Sequence, residues 1–179
     1  LDLCVRNLEN INDVKKINTK DNLLLEVCVA AKHEGASITG EYPKYQLKYD
    51  DSPSQICTML ARSFADIGDI VRGKDLYSGN SKEKNRRKKL EDNLIEIFNM
   101  IQGKNESKLG ALSLDQVREY WWEENREKIW KAITCGAGGG KYFRNTCGSA
   151  QNPTQTEDNC QCIGQAVPTY FDYVPQYLR

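Results

Sequence analysis

Apolar positions in this chain recur mainly at helical spacing, and polar or glycine-rich stretches separate the recurrences. From Asp21 to Glu34, the positions Leu24, Val27, Cys28 and Ala31 predict a short helix that Gly35 can end. The Gly-, Ser-, Thr-, Tyr- and Pro-rich stretch that follows reads as irregular. Ile56, Leu60, Phe64, Ile67 and Val71 predict a long helix closed by Gly73. Ser52 and Gln55 match a capping box at its start, and Pro53 suits the first helical position. A helix from about Glu83 to Gln102 carries Leu90, Leu94, Ile97, Phe98 and Ile101 toward a core. Its first two turns are basic and lack that stripe, so this end is expected to protrude. Cations there oppose the helix dipole, so fraying is expected.

A third long helix opens at Ser113, where Ser113 and Gln116 form a capping box and Leu112 can staple onto Val117. Leu114, Val117, Trp121, Ile129 and Ile133 mark one face, which Trp122 and Trp130 widen. This helix is therefore expected at the centre of a bundle. Gly136, Gly138, Gly139 and Gly140 end it. Residues 148–159 are polar and read as a loop. Pro168 and Thr169 then open an aromatic helix with Tyr170, Phe171 and Tyr173, which Pro175 interrupts.

Composition fits this reading. The chain has 179 residues, 39% of them hydrophobic and 28% charged, which suits a globular helical chain with a real core. The net charge is zero, so attraction to polyanions has to come from a local patch. Seven cysteines (Cys4, Cys28, Cys57, Cys135, Cys147, Cys160 and Cys162) point to an oxidising, extracellular setting. The odd count leaves at least one without a partner in the chain. Zinc is not expected, because there is no C-x-x-C pair and His33 is the only histidine. His33 reads as an exposed residue near a helix end.

The candidate binding patch is Lys82, Lys84, Arg86, Arg87, Lys88 and Lys89, interrupted only by Glu83 and Asn85. Such a cluster suits a sulfated polysaccharide, whose affinity comes largely from charge contacts and released counterions. Arginine adds bidentate sulfate contacts. The alternative is a solvated helix end balanced by Glu91, Asp92 and Glu96. Nucleic acid is not expected, since no reader motif accompanies the zero net charge. Gly136 to Lys141 is not a phosphate loop. Cys135 and Tyr142 stand where that motif needs glycine and Ser or Thr, and a helix precedes it rather than a strand. Glu119, Glu123, Arg126, Glu127 and Lys131 read as a salt-bridged surface. No nucleophile constellation stands out, and no enzymatic activity is expected.

Three phrases occur in fixed order: Ser63 to Tyr77 (SFADIGDIVRGKDLY), Arg118 to Cys135 (REYWWEENREKIWKAITC) and Val167 to Arg179 (VPTYFDYVPQYLR). With Asn22 to Gly35 and Tyr42 to Leu47, they resemble the Duffy-binding-like domain, alpha class, of the Plasmodium falciparum erythrocyte membrane protein 1 family. The resemblance implies a mainly helical, disulfide-stapled fold, with a loop-rich lobe packed on a helical bundle. It divides the chain into a truncated first subdomain (1–51), a helical-bundle second subdomain (52–141) and the start of a third helical subdomain (142–179).

The same resemblance implies pairing of Cys57 with Cys135, with Cys4 and Cys28 as a reasonable second pair. Cys147, Cys160 and Cys162 are left at least partly to a missing half. A Cys57–Cys135 bond would close a loop of about 80 residues and contribute about 4–5 kcal/mol by chain entropy. The implied role is an extracellular adhesion domain of a variant surface antigen on infected erythrocytes. It would bind host erythrocyte or endothelial receptors, or heparan-sulfate-type glycans, in rosetting or cytoadherence, and antibodies would meet it there. The parent would be a single-pass membrane protein anchored outside this segment. No metal or cofactor is implied. The alternative is a structural spacer and immune decoy with adhesion carried by neighbouring domains. Asn105-Glu106-Ser107 is a glycosylation sequon that the family's parasite is not expected to use.

Overall fold

The computed structural model describes residue 8 and residues 11–49, 54–76, 79–141, 144–164 and 166–179. Among the described residues the helices with both ends placed are α1 (Lys20–Tyr49), α2 (Ser54–Arg72), α3 (Ser81–Lys104), the short α4 (Glu106–Leu109) and α5 (Leu114–Ile133). A two-stranded hairpin follows, β1 (Cys147–Ser149) against β2 (Asn152–Thr154), antiparallel with Cys147 opposite Thr154. Single 3₁₀ turns at Phe171–Tyr173 and Gln176–Leu178 end the chain.

The apolar stripes of α2 and α3 behave as their spacing predicts, whereas on α1 the buried face is Leu23, Val27, Ala30 and Ala31, with the expected Leu24 and Cys28 half-buried, as is Leu114 of α5. Ile56, Leu60, Phe64, Ile67 and Val71 are all buried on α2. The buried residues of α3 are Leu90, Leu94, Ile97, Phe98 and Ile101. Helix α5 is central, and its three indoles pack against rings of both α2 and α3. Trp121 meets the Phe98 ring of α3 edge-on at 5.8 Å, while Trp122 and Trp130 flank Phe64 of α2 at 5.1 and 5.2 Å. Each indole N–H also finds an acceptor, as a buried donor must. Trp121 donates to the Lys20 carbonyl, Trp122 to Asp172 and Trp130 to the Cys160 carbonyl.

Helix ends follow local chemistry. Both halves of the Ser113–Gln116 capping box are formed. Gly73 sits at φ +72° beyond α2, its N–H donating to Ile70 and that of Lys74 to Asp69, the Schellman arrangement. The Ser52 cap lies outside the described residues. α3 begins at Ser81, two residues before the expected start, because the Asn80 side chain accepts from the Glu83 N–H at 3.0 Å. That cap, with the Glu83 carboxylate in the first turn, offsets the basic residues, so the end is capped rather than frayed.

Several expectations are corrected. Gly35 does not end its helix; α1 runs on through Pro43 to Tyr49. A Cβ at Gly35 would lie 1.9 Å from the Ile133 carbonyl oxygen, so this glycine lets α1 and α5 touch backbone to backbone. Buried Glu34 beside it accepts from the Ser63 hydroxyl at 3.0 Å. The stretch expected as irregular therefore has a helix to pack against. Residues 148–159 contain part of the hairpin rather than only loop, and the aromatic segment is a single 3₁₀ turn.

The largest correction concerns Cys57. It pairs with Cys160, not Cys135, and a second bond joins Cys147 to Cys162. Cys135 lies past the α5 cap residue Thr134 and is exposed, a free thiol. Cys57 is fully buried on α2, away from that surface. After the glycines, the Cys160 N–H donates to the Gly140 carbonyl at 2.9 Å, bringing Cys160 under the bundle. A Cβ at Gly140 would meet both sulfurs, at 2.9 and 3.2 Å, so the glycine run is what lets this crossing form. Cys4 lies outside the described residues, and with it the expected Cys4–Cys28 pair. Cys28 is half-buried, and burial pushes its thiol up against the opposing charge of Lys128.

Candidate functional site

The basic helix start is a real surface feature. Lys82, Lys84, Arg86, Lys88 and Lys89 are exposed on the first turns of α3. Lys82, Arg86 and Lys89 are spaced four and three residues apart, so they share one side of the helix along roughly 10 Å of its axis. The exposed helix N-terminus adds its own partial positive charge. Among the described residues Lys82, Lys84 and Lys89 enter no ion pair. Lys88 pairs with Asp92 at 2.9 Å on the same helix.

Arg87 differs. Its side chain is mostly buried and bonds Asp75 in the turn after α2. The other Asp75 oxygen accepts from the Gln176 side chain at 3.1 Å. Arg87 therefore anchors the frame, while the exposed lysines face solvent. His33 is exposed on α1. The sequon's Asn105 sits between α3 and α4, with its side-chain amide donating to the Ile101 carbonyl. Among the described residues no three His, Cys, Asp or Glu side chains gather as a metal site, and no helix is long and apolar enough to cross a membrane.

Sequence reasoning missed a buried charged network that locks the three phrases together. Arg118 of α5 forms a bidentate pair with Glu91 of α3, at 2.7 and 2.9 Å. Its remaining donors satisfy the Val71 and Ile70 carbonyls at the end of α2. One guanidinium thus ties three helices and neutralises the negative end of one. Arg126 does not stay on the surface with Glu123 and Glu127. It makes two 2.8 Å bonds to the buried Asp172 and one to the Thr169 carbonyl. Burial opposes the Arg126 charge, but the Asp172 hydrogen bonds and charge outweigh it and raise its proton affinity. Arg72 donates to the Asp172 carbonyl, and Arg179 bonds Asp66 and Asp69.

A signal for this network was present in the sequence. Arg118, Trp122, Asn125 and Ile129 follow helical spacing along one buried face, and Asp172 stands between two aromatic residues.

Glu119 bridges Arg72 and Lys74 at the edge of the network. Burial works against its carboxylate, but hydrogen bonds and charge from Lys74 and Arg72 win and hold it below the ordinary glutamate range. A depressed folded pKa stabilises the fold above the unfolded value, and that contribution is lost as pH falls through the folded one. The Glu119→Gln variant is therefore expected to lose less stability than the parent between about pH 4.3 and the lower folded value, read by urea unfolding at stepped pH. Equal losses would show that the bridge carries no pH-dependent stability. Asp66 runs the other way: burial raises its carboxyl despite Arg179, so it does not add to the acid loss.

The Duffy binding domain family model matches residues 1–179, the whole chain, which makes this an adhesion-type helical domain. The chain belongs to the Duffy-binding-like family. Among solved structures it is similar to the N-terminal NTS-DBL1-alpha and CIDR-gamma double domain of the PfEMP1 protein from the Plasmodium falciparum varO strain. That likeness is 38% identity at a TM-score of 0.65, covering 88% of this chain and 23% of that one. It is also similar to the ICAM-1-binding PfEMP1 IT4var13 DBLbeta domain from the same species. There the identity is 30% at a TM-score of 0.61, covering 88% of this chain and 34% of that one. The chain thus spans about a quarter and a third of these two structures. No curated protein matches. The likeness implies an extracellular domain of a parasite surface protein on infected erythrocytes.

Proposed function

We propose that this chain is the adhesive part of a variant surface antigen on infected erythrocytes. It binds host erythrocyte or endothelial surfaces, in rosetting or cytoadherence, through sulfated heparan-sulfate-type glycans at the start of α3. The parent is anchored by a single membrane span outside this segment, and the three-part division at residues 51/52 and 141/142 describes its organisation. Antibodies meet the same exposed surface. The observation that carries this reading is the set of exposed lysines (Lys82, Lys84 and Lys89), without an ion-pair partner among the described residues, on a capped helix start of an adhesion-type domain. Polyanion affinity scales with the number of such cations, because each contact releases counterions. The mechanism is rigid surface recognition: the charged network and the disulfides hold the helices while solvent-facing residues vary.

The test is heparin chromatography of the parent chain and a K82E/K84E/K89E variant. Arg87 is left alone because its bond to Asp75 serves the fold. The variant is expected to elute at distinctly lower salt on heparin. An unchanged elution salt would reject the glycan contact and favour a spacer and immune-decoy role.

A further inference from the structure

A groove separate from the basic helix start opens between the end of α3, α4 and the first turns of α5, with a cavity of about 220 Å³. Its floor is apolar and buried: Ile101, Val117 and Trp121. Its rim carries Lys108, Asn105 and Tyr120, the last 56% exposed. Lys20 and Glu124, also at the rim, lie 3.9 Å apart and offset each other's charge. Lys108 is exposed and has no ion-pair partner among the described residues. The rim therefore carries one uncompensated positive charge. One N–H of the Asn105 side-chain amide and the Trp121 indole N–H are already committed to backbone carbonyls, which leaves the second Asn105 N–H, its side-chain oxygen and the Tyr120 hydroxyl to meet a ligand.

An apolar floor with a few convergent polar groups is the usual make-up of a small-molecule site. An engineered apolar cavity of about 150 Å³ holds one benzene ring. This groove has room for a single six-membered ring with a charged substituent. We infer that it binds a single-ring monoanion, the ring resting over Trp121 and Val117 beside Tyr120 and its carboxylate or sulfate paired with Lys108. A sugar acid and an aromatic carboxylate share that chemistry. The site is independent of the glycan reading for the basic helix start. Arg86 and Ile101 are 15 residues apart on α3, roughly 22 Å along its axis.

The three tryptophans make the test site-specific. Only Trp121 borders the groove; Trp122 and Trp130 are buried elsewhere against Asp172 and Cys160. Their indole N–H resonances are followed in the ¹⁵N-labelled chain during titration with methyl β-glucuronide and, separately, with benzoate. The Trp121 resonance is expected to move saturably while the other two stay in place. K108E is expected to weaken that response about tenfold or more, as loss of a charge-assisted contact should. Neutral methyl glucoside and benzyl alcohol are expected to be weaker by a similar factor. A response to the glucuronide alone assigns the sugar source, and one to benzoate alone the aromatic source. Unmoved Trp122 and Trp130 resonances in K108E show that the variant is folded. The inference is overturned if neither acid moves Trp121, if all three indoles move together, or if K108E responds like the parent.

Discussion

Replacing Cys57 and Cys160 together by alanine is expected to lower the unfolding free energy by about 4.7 kcal/mol, the chain-entropy value for a loop near 100 residues. The bond spans 103 positions, from the first turn of α2 to the segment beyond the hairpin. Both cysteines are fully buried, and the Trp130 indole donates to the Cys160 carbonyl, so the crossing is packed as well as covalent. A domain stable by about 5–15 kcal/mol loses a large share of its margin, or unfolds outright. The Cys147–Cys162 pair spans only 15 positions and staples the hairpin. Its removal should cost less, about 3 kcal/mol on the same reasoning. Urea unfolding of the two double variants under matched oxidising conditions measures the order. A larger loss from the hairpin bond would show that the long-range bond is not the main staple.

The Asp172→Ala change is expected to cost about 3–5 kcal/mol, because it leaves buried charge without its partner. The Asp172 side chain is wholly buried and accepts from Trp122 and twice from Arg126. Without it the Trp122 indole N–H loses its acceptor, and the Arg126 guanidinium keeps the Thr169 carbonyl but loses its carboxylate partner. Asp172→Asn keeps an oxygen for the indole and should cost less. The double variant with Arg126→Ala should be less harmful than the two single losses added together, since the orphaned charge is then removed as well. Additive losses would mean that the carboxylate and guanidinium are not coupled.

Stripe and cap positions were legible because they depend on neighbours in sequence. The five buried positions of α3 and the Ser113–Gln116 box need only helical spacing and a side chain three residues away. The misses depend on partners far along the chain. Gly35 can stop a helix or admit a second backbone, and only the approach of Ile133 decides. Arg126 belongs to a surface pattern until the chain returns with Asp172. Cys57 has a plausible partner in Cys135 until the glycine run turns the chain back and delivers Cys160. The site divides the same way. Six basic residues within eight positions mark a patch, but only the fold separates exposed Lys82, Lys84 and Lys89 from Arg87, which holds Asp75.

The proposed rigid surface recognition requires one frame: α2 joined through Cys160 to the segment that carries Asp172 onto α5. Disulfide mapping tests it most directly, by alkylating the unreduced folded chain, digesting it and identifying linked peptides by mass. The predicted result is one linked pair containing Cys57 and Cys160, with Cys135 recovered alkylated. A pair linking Cys57 to Cys135 would contradict the account.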